Sequence, residues 1–327
     1  MGRLKLFSTH VLFEEPRRRL EEHFDVEYWR GNERPPRPEV LKRVAGMDAL
    51  VCLLTEKVDR ELLDAAGPKL RIVANVAVGF DNIDVPACTE RGIAVTNTPG
   101  VLDETTADFT WTLLLGVARR LVEGDRLARS GEWLQWNFDL LCGTDVWGKT
   151  LGIIGLGRIG RAVARRAQGF RMPVIYHSRT RASAEIEKEL NAEYRTQDEV
   201  LQQADFLSLH VPLNEKTRGL IGRAELARMK RTAFLINTTR GPVVQEAALV
   251  EALDQGVIAG AALDVFEREP LISDGLRRDN VVLAPHLGSA SVETRTRMAM
   301  IAVENAIAFF AGQRPPTILN PEVLRRK

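Results

Sequence analysis

Cysteine is scarce. Three residues in 327, Cys52, Cys88 and Cys142, lie far apart and in no metal-ligand or redox spacing. That excludes a disulfide-stapled scaffold or a thiolate metal site, and fits a reducing compartment in which each thiol is a small core hydrophobe. Charge of one sign is lacking too. Forty-five basic residues stand against 44 acidic ones, a net of +1, so no global field is available to hold nucleic acid or an anionic membrane. The most apolar stretch, Phe109–Ala118, falls short of the ~20 residues that span a bilayer and runs into Arg119 and Arg120. The opening residues Met1–Ser8 are too short an apolar run for a secretory signal, so a cytoplasmic location is expected. Repeats and low-complexity segments are absent as well. What remains is an ordinary globular composition, 45% hydrophobic and 27% charged, in a chain long enough for two domains.

What is present is alternation. Short β-branched runs recur between longer amphipathic segments. The early strand candidates are Leu4–Phe7, Val26–Trp29, Ala49–Leu53, Arg71–Asn75 and Ile93–Thr96. The later ones are Leu151–Ile154, Val174–His177, Phe206–Val211, Ala233–Asn237, Ala261–Val265 and Val281–Leu283. Several are continuous apolar runs, as parallel strands covered on both faces require, and the pattern predicts a doubly wound α/β architecture in two sets. Between the sets a long apolar helix is expected over Asp103–Ser130. A last helix over Ser291–Ala311 has a serine cap and stops at Gly312.

The second set opens with a phosphate-binding turn. The strand Leu151–Ile154 runs into Gly155-Leu156-Gly157-Arg158-Ile159-Gly160 and then into a helix. Gly155 would make the tight turn and Gly157 would let a pyrophosphate reach the backbone. Gly160 would let the helix pack closely, with its N-terminal N–H groups facing the anion. An NAD site usually carries Asp or Glu at the end of the next strand, to bind the ribose 2′-hydroxyl. Here that strand ends Tyr176-His177-Ser178-Arg179-Thr180-Arg181, with no carboxylate. Ser178 can donate a hydrogen bond, and Arg179 or Arg181 can fork onto a 2′-phosphate. NADP(H) is therefore favoured over NAD(H), which such a loop also admits.

Three further segments close candidate strands: Asn237–Gly241, Asp264–Pro270 and Ala284–Ser289. In open α/β sheets the carboxyl ends of strands face the ligand. Arg240, Glu269 and His286 from these segments suffice to reduce a 2-oxo acid. Arg240 would hold the carboxylate and polarise the ketone, and His286 would give its proton to the oxygen. Glu269 would pair with His286, favouring its charged form and fixing the ring. His10, His23, His177 and His210 lack such a setting and are read as structural.

Taken together these motifs resemble the D-isomer-specific 2-hydroxyacid dehydrogenase family, and most closely its glyoxylate/hydroxypyruvate reductases. The resemblance runs nearly the whole chain, through Ala77–Asp84, Asn97–Leu102, Thr105–Asp108, Gly152–Gly160, Tyr176–Arg181, Asn237–Gly241, Leu263–Pro270 and Pro285–Ser289. It implies a Rossmann cofactor domain, residues 100–287, inserted in a flavodoxin-like substrate domain, residues 1–99 and 288–327, with the active site in the cleft between. It implies Arg240, Glu269 and His286 in the roles above, and substrate contacts from Leu53 and the N–H groups of Val78 and Gly79. It also implies cofactor contacts from Thr106, Leu156, Gly157, Arg158, Ile159, Ser178, Arg179, Thr180, Pro212, Thr238, Asp264 and Gly288, and a homodimer built on the long helix.

Two departures from the family pattern stand out. Thr239 precedes the arginine where alanine is common, and Phe80 replaces a tyrosine. Trp133, Trp136 and Trp147 lie in the connecting stretch, where relatives place aromatic residues near the substrate mouth; Trp136 is a candidate for that pocket, in its own subunit or a partner's, and is read first as a core-packing residue. Glu269 stands where formate-oxidising relatives carry glutamine, which argues against formate. The end at Lys327 leaves no room for the regulatory domain of many phosphoglycerate dehydrogenases. Phosphite or another D-2-hydroxy acid is the alternative within the enzyme class. A dinucleotide-sensing co-repressor-like protein is the alternative outside it.

Overall fold

The computed structural model describes residues 2–31 and 33–325; the expected domain limits at 1 and 327 lie outside the described residues. The chain divides into two compact units, residues 1–102 with 291–327, and residues 103–290.

In the first unit the strands are β1 (Lys5–Ser8), β2 (Asp25–Tyr28), β3 (Ala49–Cys52), β4 (Ile72–Asn75) and β5 (Ala94–Thr96). All pair in parallel in the order β2-β1-β3-β4-β5, the flavodoxin-like winding. Strands β3 and β4 are buried along their whole length, which is why β3 reads as an unbroken apolar run and β4 as one closed only by Asn75. The helix Val292–Phe310 packs on this unit, and its Ser291 hydroxyl accepts the N–H of Thr294, a cap worth about 1 kcal/mol.

In the second unit the strands are β6 (Leu151–Ile154), β7 (Val174–His177), β8 (Ala192–Tyr194), β9 (Phe206–Leu209), β10 (Phe234–Asn237), β11 (Gly260–Leu263) and β12 (Val281–Leu283). They form one parallel sheet in the order β12-β11-β10-β9-β6-β7-β8, so the winding reverses between β6 and β9. Apolar clusters cover both faces. On one face Trp111 stacks on Phe170 at 4.7 Å and donates its indole N–H to Val163 O.

Three sequence expectations need correction. Strand β8 was not anticipated. It is a three-residue edge strand, Ala-Glu-Tyr, too short and too polar to show a period, entered directly from a helix that ends on left-handed Asn191. The long helix expected over Asp103–Ser130 is two, Asp103–Ala118 and Leu121–Ser130, broken where Arg120 is left-handed (φ 50°). At the break a residue further along the chain reaches in: Thr144 donates its N–H to Ala118 O at 2.8 Å. Trp133, Trp136 and Trp147 are not core residues. They are 55%, 72% and 64% exposed, and Leu134 and Phe138 beside them are 91% and 89% exposed.

Among the described residues no helix is long and apolar enough to cross a membrane.

Candidate active site

Every strand of the second sheet runs the same way, so its carboxyl ends share one edge. The predicted residues of this unit gather there, with Thr106 reaching it from the helix Asp103–Ala118. Gly155–Gly160 follow β6, Ser178–Thr180 follow β7 and Pro212 follows β9. Thr238 and Arg240 follow β10, Asp264 follows β11, and His286 and Gly288 follow β12. The point of winding reversal, where such sheets take their ligands, lies beside the glycine turn.

That turn suits a pyrophosphate. Gly155 has φ +99°, and a Cβ there would lie 2.4 Å from His210 O. At Gly160 a Cβ would lie 2.3 Å from Gly155 O, so the helix Arg158–Ala167 could not pack so closely with any larger residue. Gly157 differs: a Cβ would meet nothing within 4 Å, so the backbone faces open space a side chain would fill. No side chain caps this helix N-terminus and its first turn holds no acidic residue, which leaves its N–H groups and dipole for an anion.

The ribose end is tied to the turn by Ser178, whose hydroxyl accepts the Leu156 N–H at 2.6 Å and keeps its own hydrogen to donate. The two arginines of this loop, equivalent in the sequence, are not equivalent in space. Arg181 forks onto Glu187 with two bonds of 2.8 Å, holding that carboxyl down at about 2. Arg179 is exposed and has no partner among the described residues. Arg181 thus leaves the pair of candidates for a 2′-phosphate.

At the β10–β12 end the catalytic candidates come together. His286 Nδ1 lies 2.8 Å from Glu269 Oε2. A carboxylate only accepts, so Nδ1 carries the hydrogen and Nε2 is the ring nitrogen left for a reacting proton. Burial pushes Glu269 up, but the His286 hydrogen bond and charge, the Phe266 N–H and the Arg240 charge outweigh it and hold the carboxyl below its usual range. The backbone of His286 is left-handed (φ 55°), unusual for a side chain of this size. Asp264 secures it: its carbonyl accepts the His286 N–H, and its carboxylate accepts the N–H groups of Leu287 (2.6 Å) and Gly288 (2.8 Å). Burial raises the Asp264 carboxyl above its ordinary value against those two donors. Gly288 also abuts Thr106, 3.4 Å from where its Cβ would stand.

Two residues that build this end were not singled out from the sequence. Asn237, almost wholly buried, accepts from the Thr239 N–H (3.0 Å) and hydroxyl (2.7 Å) and donates to Arg240 O (3.0 Å), shaping the loop that presents Arg240. The unusual Thr239 hydroxyl is thereby absorbed without reaching the site. Gly241 packs so tightly that a Cβ would stand 1.8 Å from the carbonyl carbon of Phe266, three residues before Glu269. The signal was there, an asparagine closing a strand and a glycine after the arginine, but only contact gives it meaning.

Two of the remaining histidines, His177 and His210, are held by their neighbours. His177 Nδ1 meets Arg195 O at 3.0 Å, and His210 Nε2 meets Ser208 Oγ at 2.8 Å. Burial pushes His210 down to about 3. In the first unit, Leu53 follows β3, and Val78 and Gly79 follow β4, at the carboxyl edge of that sheet.

A parallel sheet with this turn and this strand-end cluster defines a dinucleotide-dependent oxidoreductase. Comparison with known proteins narrows the class. The family model for the NAD binding domain of D-isomer specific 2-hydroxyacid dehydrogenases matches residues 111–288. A glyoxylate reductase of Korarchaeum cryptofilum is 52% identical over 324 residues, covering 98% of this chain and 97% of its own. A Thermus thermophilus crystal structure superposes with a TM-score of 0.91 at 45% identity, over 97% of this chain and all of that one. The NADPH-dependent glyoxylate/hydroxypyruvate reductase of Sinorhizobium meliloti, in complex with NADP and malonate, gives 0.86 at 34% identity over 100% and 99% of the two chains. The chain belongs to the D-isomer specific 2-hydroxyacid dehydrogenase family; it is an oxidoreductase that uses a nicotinamide dinucleotide.

Proposed function

We propose that this enzyme reduces a small 2-oxo acid, glyoxylate or hydroxypyruvate, to the 2-hydroxy acid with NADPH. The observation that carries the reading is the 2.8 Å bond from His286 Nδ1 to Glu269 Oε2, on the strand edge that also bears the glycine turn. The reduced nicotinamide, when bound, supplies the hydride. Arg240 holds the substrate carboxylate and draws electron density from the ketone. His286 Nε2 delivers a proton to the carbonyl oxygen, and Glu269 holds the ring and balances its charge. Gly155–Gly160 take the pyrophosphate, and Ser178, Arg179 and Thr180 the adenosine ribose. Thr106, Pro212, Thr238, Asp264 and Gly288 contact the rest of the dinucleotide. Leu53, Val78 and Gly79 contact the substrate, which makes the first unit the substrate domain and the second the cofactor domain.

The preference for NADPH rests on the missing carboxylate after β7 and on Arg179, exposed and unpaired among the described residues while Arg181 is spent on Glu187. The S. meliloti relative, described as NADPH-dependent, supports it. Initial rates with glyoxylate, hydroxypyruvate and other 2-oxo acids, using NADPH and NADH in turn, test both parts. NADPH should serve better, and Arg179→Ala should weaken NADPH roughly tenfold or more while barely touching NADH. Equal losses for the two cofactors would sink the 2′-phosphate role. Tight dinucleotide binding without turnover of any 2-oxo acid would make the protein a sensor instead.

We also propose a cytoplasmic homodimer. Thiols as sparse as these, with Cys142 exposed, suit a reducing compartment. Leu134, Trp136 and Phe138, all exposed, are large apolar side chains that a second copy of the chain would cover. Sedimentation should give a dimer that Phe138→Glu with Leu134→Glu dissociates; a wild-type monomer at micromolar concentration would refute the dimer.

A further inference from the structure

The first unit holds three successive carbonyls after β4. Thr98 donates its N–H to Ala77 O at 2.9 Å. Asn97 Nδ2 donates to Val78 O at 2.8 Å, and Asn75 Nδ2 donates to Gly79 O at 2.9 Å. In a trans peptide the C=O and N–H point in opposite directions. Binding Ala77 O therefore aims the Val78 N–H away from residues 97–98, and binding Val78 O does the same for the Gly79 N–H. Neither N–H has an acceptor among the described residues.

The amides that do this are not surface groups. Asn75 is fully buried and Asn97 is 7% exposed. A buried side-chain amide is costly unless its hydrogen bonds are made, so both are held firmly in these orientations. The Cys52 thiol faces Asn75 Oδ1 at 3.7 Å, which turns the NH2 end toward Gly79. The same amide lies 3.5 Å from Asn82 Oδ1, and Asn82 in turn donates to Leu53 O (3.3 Å) and Glu56 O (2.9 Å). One polar network thus links the loops after β3 and β4.

We propose that Asn97 is a positioning residue that, beside the Thr98 N–H, pre-sets the Gly79 and Val78 N–H groups to receive the substrate carboxylate, while Asn75 fixes the end of the loop at Gly79 O. This rests on the reading of Val78 and Gly79 as substrate contacts. Oriented amides of this kind bind an anion without reorganising when it arrives, so their loss falls on substrate binding rather than on hydride or proton transfer.

The test compares the full-length enzyme with Asn97→Ser, Asn97→Ala and Asn97→Asp, using the best 2-oxo acid and its uncharged primary amide, with NADPH saturating. Serine keeps a donor, alanine removes it, and aspartate sets a second acceptor against Val78 O. KM for the acid should rise in that order, about tenfold by alanine, with kcat within about threefold and NADPH affinity unchanged. The preference for acid over amide should fall in proportion. A wild-type enzyme that prefers the acid, with variants that keep that preference whatever happens to their melting temperature, would overturn the positioning role and leave the substrate reading intact. A wild type with no preference would remove the substrate reading, and this proposal with it. Should aspartate fail to fold, the serine and alanine pair decides.

Discussion

Replacing His286 by alanine should lower kcat by about a hundred- to ten-thousandfold, the usual worth of a positioned general acid, while NADPH affinity stays within about twofold. The expectation follows from the ring's geometry. Glu269 takes the hydrogen on Nδ1, leaving Nε2 as the nitrogen that can deliver a proton, and the loop is locked by Asp264 through three backbone bonds. Alanine removes the proton donor but keeps those backbone bonds, so the loss should appear in turnover and not in folding. Glu269→Gln provides the internal comparison. It preserves the shape and an acceptor oxygen but removes the negative charge, so its loss should be smaller than that of His286→Ala. Single-turnover reduction with enzyme in excess isolates the chemical step. A chemical rate unchanged in His286→Ala would take His286 out of the mechanism.

The second large effect is expected at Arg240. Lysine there keeps the charge, yet kcat/KM for a 2-oxo acid should fall roughly a hundredfold, about 2–3 kcal/mol, because a planar fork becomes a point charge. The surroundings favour the fork. Asn237 fixes the Arg240 carbonyl, Arg240 Nη1 donates to Thr239 O at 2.9 Å, and the guanidinium charge acts on Glu269. A lysine ammonium cannot spend one nitrogen on Thr239 O and still present two parallel N–H groups to a carboxylate. Steady-state kinetics with the acid as varied substrate is the check; a lysine variant within threefold of wild type would contradict carboxylate binding by Arg240.

Much of this was legible in the residues because the signals are local. Strands β6, β7 and β12 were bounded correctly since each is a short, mostly apolar run, and their limits coincide with those read from the sequence. Glycines 155, 157 and 160 were assigned different tasks by spacing alone; a Cβ would collide at 155 and 160 and meet nothing at 157. The signals failed where they are set by distant chain. At the break at Arg120 the Ala118 carbonyl is met by the N–H of Thr144, 26 residues on, a contact that nothing within residues 103–130 announces. Trp136 reads from the sequence as a core-packing residue, whereas the fold leaves it exposed together with Trp133 and Trp147.

The order of apolar runs, glycines and strand-ending polar residues was enough to determine the parallel α/β architecture, the dinucleotide turn and the candidates Arg240, Glu269 and His286, since backbone geometry and burial act over a few residues. Tertiary structure alone decided which groups meet: Glu269 with His286 across 17 residues, Arg181 rather than Arg179 with Glu187, and Asn97 with Val78. Hydrogen bonds and ion pairs depend on separations of about 3 Å, and such a separation between distant residues is written only in the packed chain.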